Sequence, residues 1–285
     1  MLDALVWLLA IELLGLVALP LTFLLFHRLP DRGYTLSKPL ALVLFSFILW
    51  VLGLAHVLPN SIFTIIAILA LGTGVSGWVL YRYMGQWALF LRAEWRTLLV
   101  AEGVFLAFLL LWLGIASGSP AINHTEKPMD FAYFNAVVRS TTFPPYDPWF
   151  SGGYLNYYYF GQLMNASLTK FTGILPSIAI NLTVPLFFAL TVTGAYSLVY
   201  NLTEGVRRSR FATNTGPGSG SDSGAAVTDA TEPIAAWEPQ AGLLRRTLWT
   251  PVGAGLMAGL FTAVIGNLDG IVQISQNTWY KIADG

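Results

Sequence analysis

The chain has 285 residues, of which 55% are hydrophobic and only 11% charged, and its formal net charge is zero. A soluble domain carries roughly 25% charged residues, so too little polar surface remains here to cover a water-facing globule, and lipid must surround much of the chain. Zero net charge gives no electrostatic reason to expect a nucleic-acid partner. The absence of cysteine excludes disulfides, thiol catalysis, Cys-ligated zinc and iron–sulfur clusters.

A spanning helix needs about 20 mostly apolar residues. In chain order the candidates are Leu2–Phe26, Leu40–Val57, Ile62–Tyr83, Thr97–Ile115, Ser177–Tyr200 and Val252–Ile274. The first has neither a basic leader nor a small-residue cleavage site, which reads as a retained helix rather than a cleaved signal peptide. Backbone groups cannot stay unpaired in hydrocarbon, so runs this long predict helices. The expected fold is all-α, a polytopic transmembrane helical bundle of about six spans with interfacial helices in a long external loop.

Basic residues set the expected orientation. Arg28, Arg32 and Lys38 follow the first span, Arg82, Arg92 and Arg96 the third, and Arg207, Arg208, Arg210, Arg245 and Arg246 the fifth, while the turn Leu58–Ser61 has none. Alternating spans put all the basic segments on one face. The expectation is a multi-pass protein of the cell membrane with its N-terminus and residues 117–173 outside. It divides into four N-terminal spans (1–116), an external loop (117–173), a span (174–200), a cytoplasmic linker (201–249), and a last span with the start of another external segment (250–285). Thr213–Pro239 is rich in Gly, Ser, Thr, Ala and Asp and reads as a disordered part of that linker. The end shortly after the sixth span suggests an N-terminal portion of a longer protein.

The external loop holds the candidate chemistry. Its acids are Glu126, Asp130 and Asp147. Pro128–Ser140 predicts a short helix begun by a proline, with Phe131, Phe134, Val138, Ala132 and Ala136 on an apolar side able to lie along the membrane surface. Asp130 falls in its first turn. There a carboxylate can serve as a general base on an acceptor hydroxyl, help hold a divalent cation, or simply complement the helix dipole. Tyr154 to Phe160 packs five aromatics into seven residues, and Leu163–Phe171 follows as an apolar segment too short to span, predicting an interfacial or re-entrant helix. Tyrosine and tryptophan stack on sugar rings, and they are equally at home as plain anchors at a membrane interface.

The strings EKPMDFAYFNAVVRS, FPPYDPWFSGG and NYYYFG resemble an uncharacterised prokaryotic membrane family named for its YYY motif, Chlor-Arch YYY, as does the earlier LPDRGYTLSKPL. That family is similar in turn to the GT-C superfamily of polytopic glycosyltransferases, which transfer sugars from polyprenyl-phosphate donors on the outer face. The resemblance implies that Asp130 and Phe131–Arg139 stand in the place of the GT-C acidic motif and its helix, and that Phe143 through Tyr157, Tyr158 and Tyr159 stand in the place of the later proline and tyrosine motif. The usual adjacent Asp-Glu pair is absent. Glu126 and Asp130 lie four apart instead, and three extra spans precede the loop.

On this resemblance Asp130 is the candidate base and Glu126 its partner or a metal ligand, with a solvated loop acid as the plainer reading of Glu126. Lys127 and Arg139 are candidates for the donor phosphate or for lipid headgroups. Asp147 stands for substrate binding or a turn, and Asn156 for a sugar contact or a helix cap. Asn267 and Asp269 could share the cavity of Asp130. Any cofactor is unknown, a divalent cation being the one candidate. The implied partners are the lipid bilayer and a polyprenyl-phosphate sugar. The alternative is a non-catalytic module for assembly or transport of envelope glycans. Apart from Glu12, expected to pair with another helix, the spans read as poor in the mid-span polar groups a transporter uses.

Overall fold

A computed structural model describes residues 2–118, 120–123, 126–214 and 249–265, with the backbone alone for 210–214, 249, 264 and 265. The described residues form eight helices: α1 (Leu2–Leu25), α2 (Ser37–Leu54), α3 (Ile62–Arg82), α4 (Met84–Ser117), α5 (Lys127–Arg139), α6 (Tyr159–Thr172), α7 (Pro176–Asn214) and α8 (Trp249–Ile265). Five of them, α1, α2, α3, α4 and α7, are long and apolar enough to cross a membrane. The sixth expected span appears as α8, apolar over Thr250–Ala263; the rest of it lies outside the described residues. The architecture is therefore the expected all-helical polytopic bundle.

The largest departures from the sequence expectation lie at two boundaries. The fourth helix starts at Met84 rather than Thr97, and the fifth long helix continues past Tyr200 to Asn214. At 1.5 Å per residue these helices are about 50 and 58 Å long, well beyond a hydrocarbon core of about 30 Å. Hydropathy sees only the lipid-length part. The extensions are helical because each has a partner. Trp87, Phe90, Glu94, Leu98 and Ala101 are buried along one stripe of α4 at three- and four-residue spacing. Facing them, Glu204 on α7 accepts from Arg207 and Arg208 of the same helix, and Arg208 Nη2 reaches Glu94 Oε1 at 2.8 Å. A charged run that would read as a loop is held as helix by ion pairs within and across the two helices. Residues 201–214 thus continue α7 as helix; residues 215–239 of the expected Thr213–Pro239 disorder lie outside the described residues.

The connection after α1, the start of α4 and the end of α7 meet at one end. Phe23 of α1 stacks on Trp87 with ring centroids 4.5 Å apart, and the Arg32 guanidinium lies 5.0 Å from the Phe23 ring. Asp31 takes backbone and side-chain donors from Gly33 and Thr35, and its own N–H donates to Asn201 Oδ1 on α7. Burial lowers the pKa of the Arg32 guanidinium, with repulsion from Arg208 adding to it. The LPDRGYT segment is a buried connection clamped onto α7, which explains its conspicuous mixture of turn and hydroxyl residues.

α8 lies against α7 through glycines. A Cβ on Gly255 would sit 2.8 Å from Tyr196 Cδ2 and 3.0 Å from the Tyr196 carbonyl oxygen, and one on Gly259 would sit 3.1 Å from Val192 Cγ1. This is the small-xxx-small device that lets membrane helices approach closely.

Candidate functional site

The opposite end carries the loop. α5 begins one residue earlier than predicted, with proline in its first turn and Asp130 following. Its buried residues are Phe134 and Val137. Ala132 and Ala136 are only partly covered, so the inward stripe is offset from the expected apolar side. Phe134 and Val137 join the main core with residues of α1, α2, α6 and α7. α5 is therefore docked on the bundle rather than lying free along a lipid surface. α6 goes deeper. Leu163, Asn165, Ala166, Ser167, Leu168 and Thr169 are all buried, and Ser167 Oγ meets Ser46 Oγ of α2 at 3.3 Å. At 14 residues it cannot span, but it is packed inside the bundle.

A knot of hydrogen bonds fixes this end. Asn60, in the α2–α3 turn, donates its side-chain amide to Ser140 O at 2.9 Å and Val137 O at 3.3 Å, and its backbone N–H to Thr141 O at 2.8 Å. Lys170 of α6 donates Nζ to Asn60 O at 2.5 Å. Burial holds the Lys170 ammonium down to about 8. Neither residue stood out in the sequence, because an asparagine in a turn and a lysine near a helix end are ordinary there.

Between α5 and α6 the chain forms a small hairpin. Tyr146 and Tyr154 bridge as an antiparallel pair and stack with centroids 5.0 Å apart. Their contact raises the Tyr154 phenol pKa. Asp147 Oδ1 accepts from Trp149 N at 2.8 Å and Phe150 N at 3.1 Å, so this acid closes a turn. Asn156 is exposed and does not cap α6, whose N-cap position is Tyr158 with no side-chain bond.

The three tyrosines divide. Tyr159 faces inward, its hydroxyl accepting from Trp50 Nε1 at 2.7 Å and its ring stacked beside Phe143. Tyr157 and Tyr158 face outward, 48% and 84% exposed, in edge contact with each other. Tyr157 also lies 5.8 Å from Tyr133 of α5. Tyr133 follows Asp130 by three residues and Asp130 follows Glu126 by four, so these side chains share one face of the helix. Partial burial raises the Asp130 carboxyl pKa, and the Glu126 charge raises it further. Glu126 is exposed and occupies the N-cap position without a capping bond. Lys127 Nζ donates to Ala121 O at 2.9 Å. Arg139 is exposed at the far end of α5, about 13 Å along the axis from Asp130, so it does not join the same cluster. Asp269, Asn267 and His124 lie outside the described residues. No group of three or more His, Cys, Asp or Glu side chains suited to a metal ion occurs among the described residues.

A second polar cluster lies inside the bundle. Glu12 of α1, Lys38 of α2 and Glu102 of α4 converge, with Lys38 Nζ 3.1 Å from Glu12 Oε1 and 2.6 Å from both Glu102 oxygens. Glu12 does pair with another helix, as expected. The spans are less poor in polar groups than the sequence reading held: Glu102 sits within the predicted fourth span, and the rule that singled out Glu12 applies to it equally.

No curated protein and no solved structure matches the chain. The family model described as "Uncharacterized membrane protein (DUF2298)" matches residues 44–284. LPDRGYTLSKPL precedes that stretch, which takes in the last part of α2 and all the described elements after it. By that match, and by its bundle of apolar helices, the chain is a multi-pass membrane protein of the DUF2298 family of uncharacterized membrane proteins.

Proposed function

We propose that the loop end is a GT-C-like glycosyl-transfer site facing the outer side of the membrane, taking a polyprenyl-phosphate-linked sugar as donor. The observation that carries this reading is Asp130: a carboxylate in the first turn of a docked helix, with its proton affinity raised by partial burial and by Glu126. A general base works best with a pKa brought up toward the operating pH. Asp130 would take the proton of an acceptor hydroxyl as that oxygen attacks the anomeric carbon and the lipid phosphate leaves.

Tyr157 and Tyr158 supply exposed aromatic faces beside the same helix face, suited to a sugar ring. Lys127 is the cation nearest Asp130 in sequence and a partner for the donor phosphate. An apolar cleft of about 370 Å³ between α1, α2 and α3, lined by Leu14, Phe45, Leu58, Ile68 and Val75 among others, has room for part of an isoprenoid chain. The domain division given above and the outward placement of residues 117–173 belong to this proposal. So does Asp269 as a substrate contact.

The test is transfer from a polyprenyl-phosphate sugar by the purified chain in lipid, comparing wild type with Asp130→Asn. Loss of transfer by 10²-fold or more is expected for a general base. Transfer unchanged in Asp130→Asn would remove Asp130 from the chemistry, and no transfer or donor binding by the wild type would favour the non-catalytic assembly reading.

A further inference from the structure

The three charged side chains inside the bundle do not balance. Glu12 lies near the middle of the 24-residue α1, far from either end, and meets Lys38 of α2, whose ammonium also pairs with Glu102 of α4. The Lys38 stem passes at Gly15, where a Cβ would sit 2.8 Å from Lys38 Cγ, so the glycine makes room for the ammonium to reach inward. Its Nζ lies 4.2 Å from the Phe105 ring centroid. The connection before α2 adds the Tyr34 hydroxyl, which donates to Glu102 Oε2 at 3.2 Å. α7 adds Leu190 and Thr193 to the wall of the small cavity alongside, and neither ionises. With tyrosine neutral, two carboxyls therefore face one ammonium.

The geometry also says which carboxyl is ionised. Glu102 receives Lys38 on both oxygens at 2.6 Å together with the Tyr34 hydroxyl. Glu12 has only the longer 3.1 Å contact, and its buried Oε1 has no aligned hydrogen-bond donor. Both carboxyls meet the same ammonium, Glu102 through both oxygens and Glu12 through one longer contact, in an interior that disfavours a second negative charge.

We propose that Glu12 is a proton-binding site at the centre of the bundle, occupied at neutral pH, with Glu102 and Lys38 as the ion pair beside it. Releasing the proton converts Glu12 from carboxylic acid to carboxylate and sets two negative charges on one ammonium in an apolar interior. The repulsion acts between α1 and α4, so proton occupancy controls how tightly α1 seats on its neighbours. Such a site suits proton-coupled movement of the bundle, and it is independent of the sugar-transfer reading.

Infrared difference spectroscopy of the full chain in lipid nanodiscs tests this directly. The carbonyl stretch of a protonated buried carboxyl is expected at neutral pH and lost in Glu12→Gln, which keeps the shape and neutrality of the acid and should fold normally. It is also expected to be lost in Glu102→Gln, because Glu12 then becomes the counter-ion of Lys38 and ionises. Should that variant fail to fold, Lys38→Met serves instead and should strengthen the band, since both carboxyls then stay protonated. A wild type without the band, or a band unchanged in Glu12→Gln, overturns the proposal. So does a band abolished by sodium at fixed pH, which would mark a metal-cation site. None of these outcomes bears on Asp130.

Discussion

Lys170 of α6 donates from Nζ to the backbone carbonyl of Asn60, 2.5 Å away in the α2–α3 turn, while the Asn60 side chain holds the end of α5. One turn residue and one lysine thereby lock together three segments that are far apart in sequence, and they position the helix that carries Asp130.

The lysine makes stability depend on pH in an unusual direction. Its pKa is about 8 in the folded chain against an ordinary lysine value of 10.5. The unfolded chain holds the proton more tightly, so between about pH 8 and pH 10.5 it binds more protons than the folded one, and stability rises with pH by up to about 1.4 kcal/mol per unit. Below pH 8 both states are charged and the burial penalty is present in full. Denaturation midpoints at pH about 7 and about 10 should show this rise in wild type and lose it in Lys170→Met; equal slopes in the two proteins would refute it.

Asn60→Asp should be more damaging than its size suggests. The side-chain amide donates to Val137 O and Ser140 O, and aspartate would face both oxygens with another acceptor. A buried group left without its partner costs about 1–3 kcal/mol, more when charged. Limited proteolysis should then cut the 140–158 hairpin at lower protease concentration than in wild type, whereas Asn60→Ala should fall between.

The α7–α8 contact predicts a sharp contrast between two glycines on one helix. Gly255→Leu meets Tyr196 at once, while Gly253 has nothing within 4 Å of an added Cβ. Overpacking costs about 1–3 kcal/mol, so Gly255→Leu should lower the thermal midpoint and Gly253→Leu should leave it near wild type. Equal midpoints would show that the helices do not approach as closely as described.

If Asp130 is a base, its neighbour sets the acid limb of the pH–rate profile. The Glu126 charge raises the Asp130 pKa. Glu126→Gln removes that contribution and should move the acid limb of transfer to lower pH, with the plateau rate retained. A plateau that collapses without any shift would assign Glu126 a direct chemical role instead.

The long helices and the short α5 were legible in the sequence because burial in lipid demands long apolar runs and because a proline marks a helix start. The extended ends of α4 and α7 were not, since their helical state depends on Glu94 meeting Arg208 across a gap of 114 residues. The candidate site was legible as residue types: the acid at Asp130 and the tyrosine run. Which tyrosine points outward was not, and the turn role of Asp147 was only one of two readings.

Composition and the length of the apolar runs therefore determined that this chain lives in a bilayer as a helical bundle, because a continuous apolar run of about 20 residues pairs its own backbone groups in hydrocarbon as a helix. Only the tertiary structure decided what its few polar residues do. Pairing in a low-dielectric interior depends on distances of a few ångströms between helices. Glu12 with Lys38 and Glu102, and Lys170 with Asn60, acquire their roles from partners that sequence spacing cannot reveal.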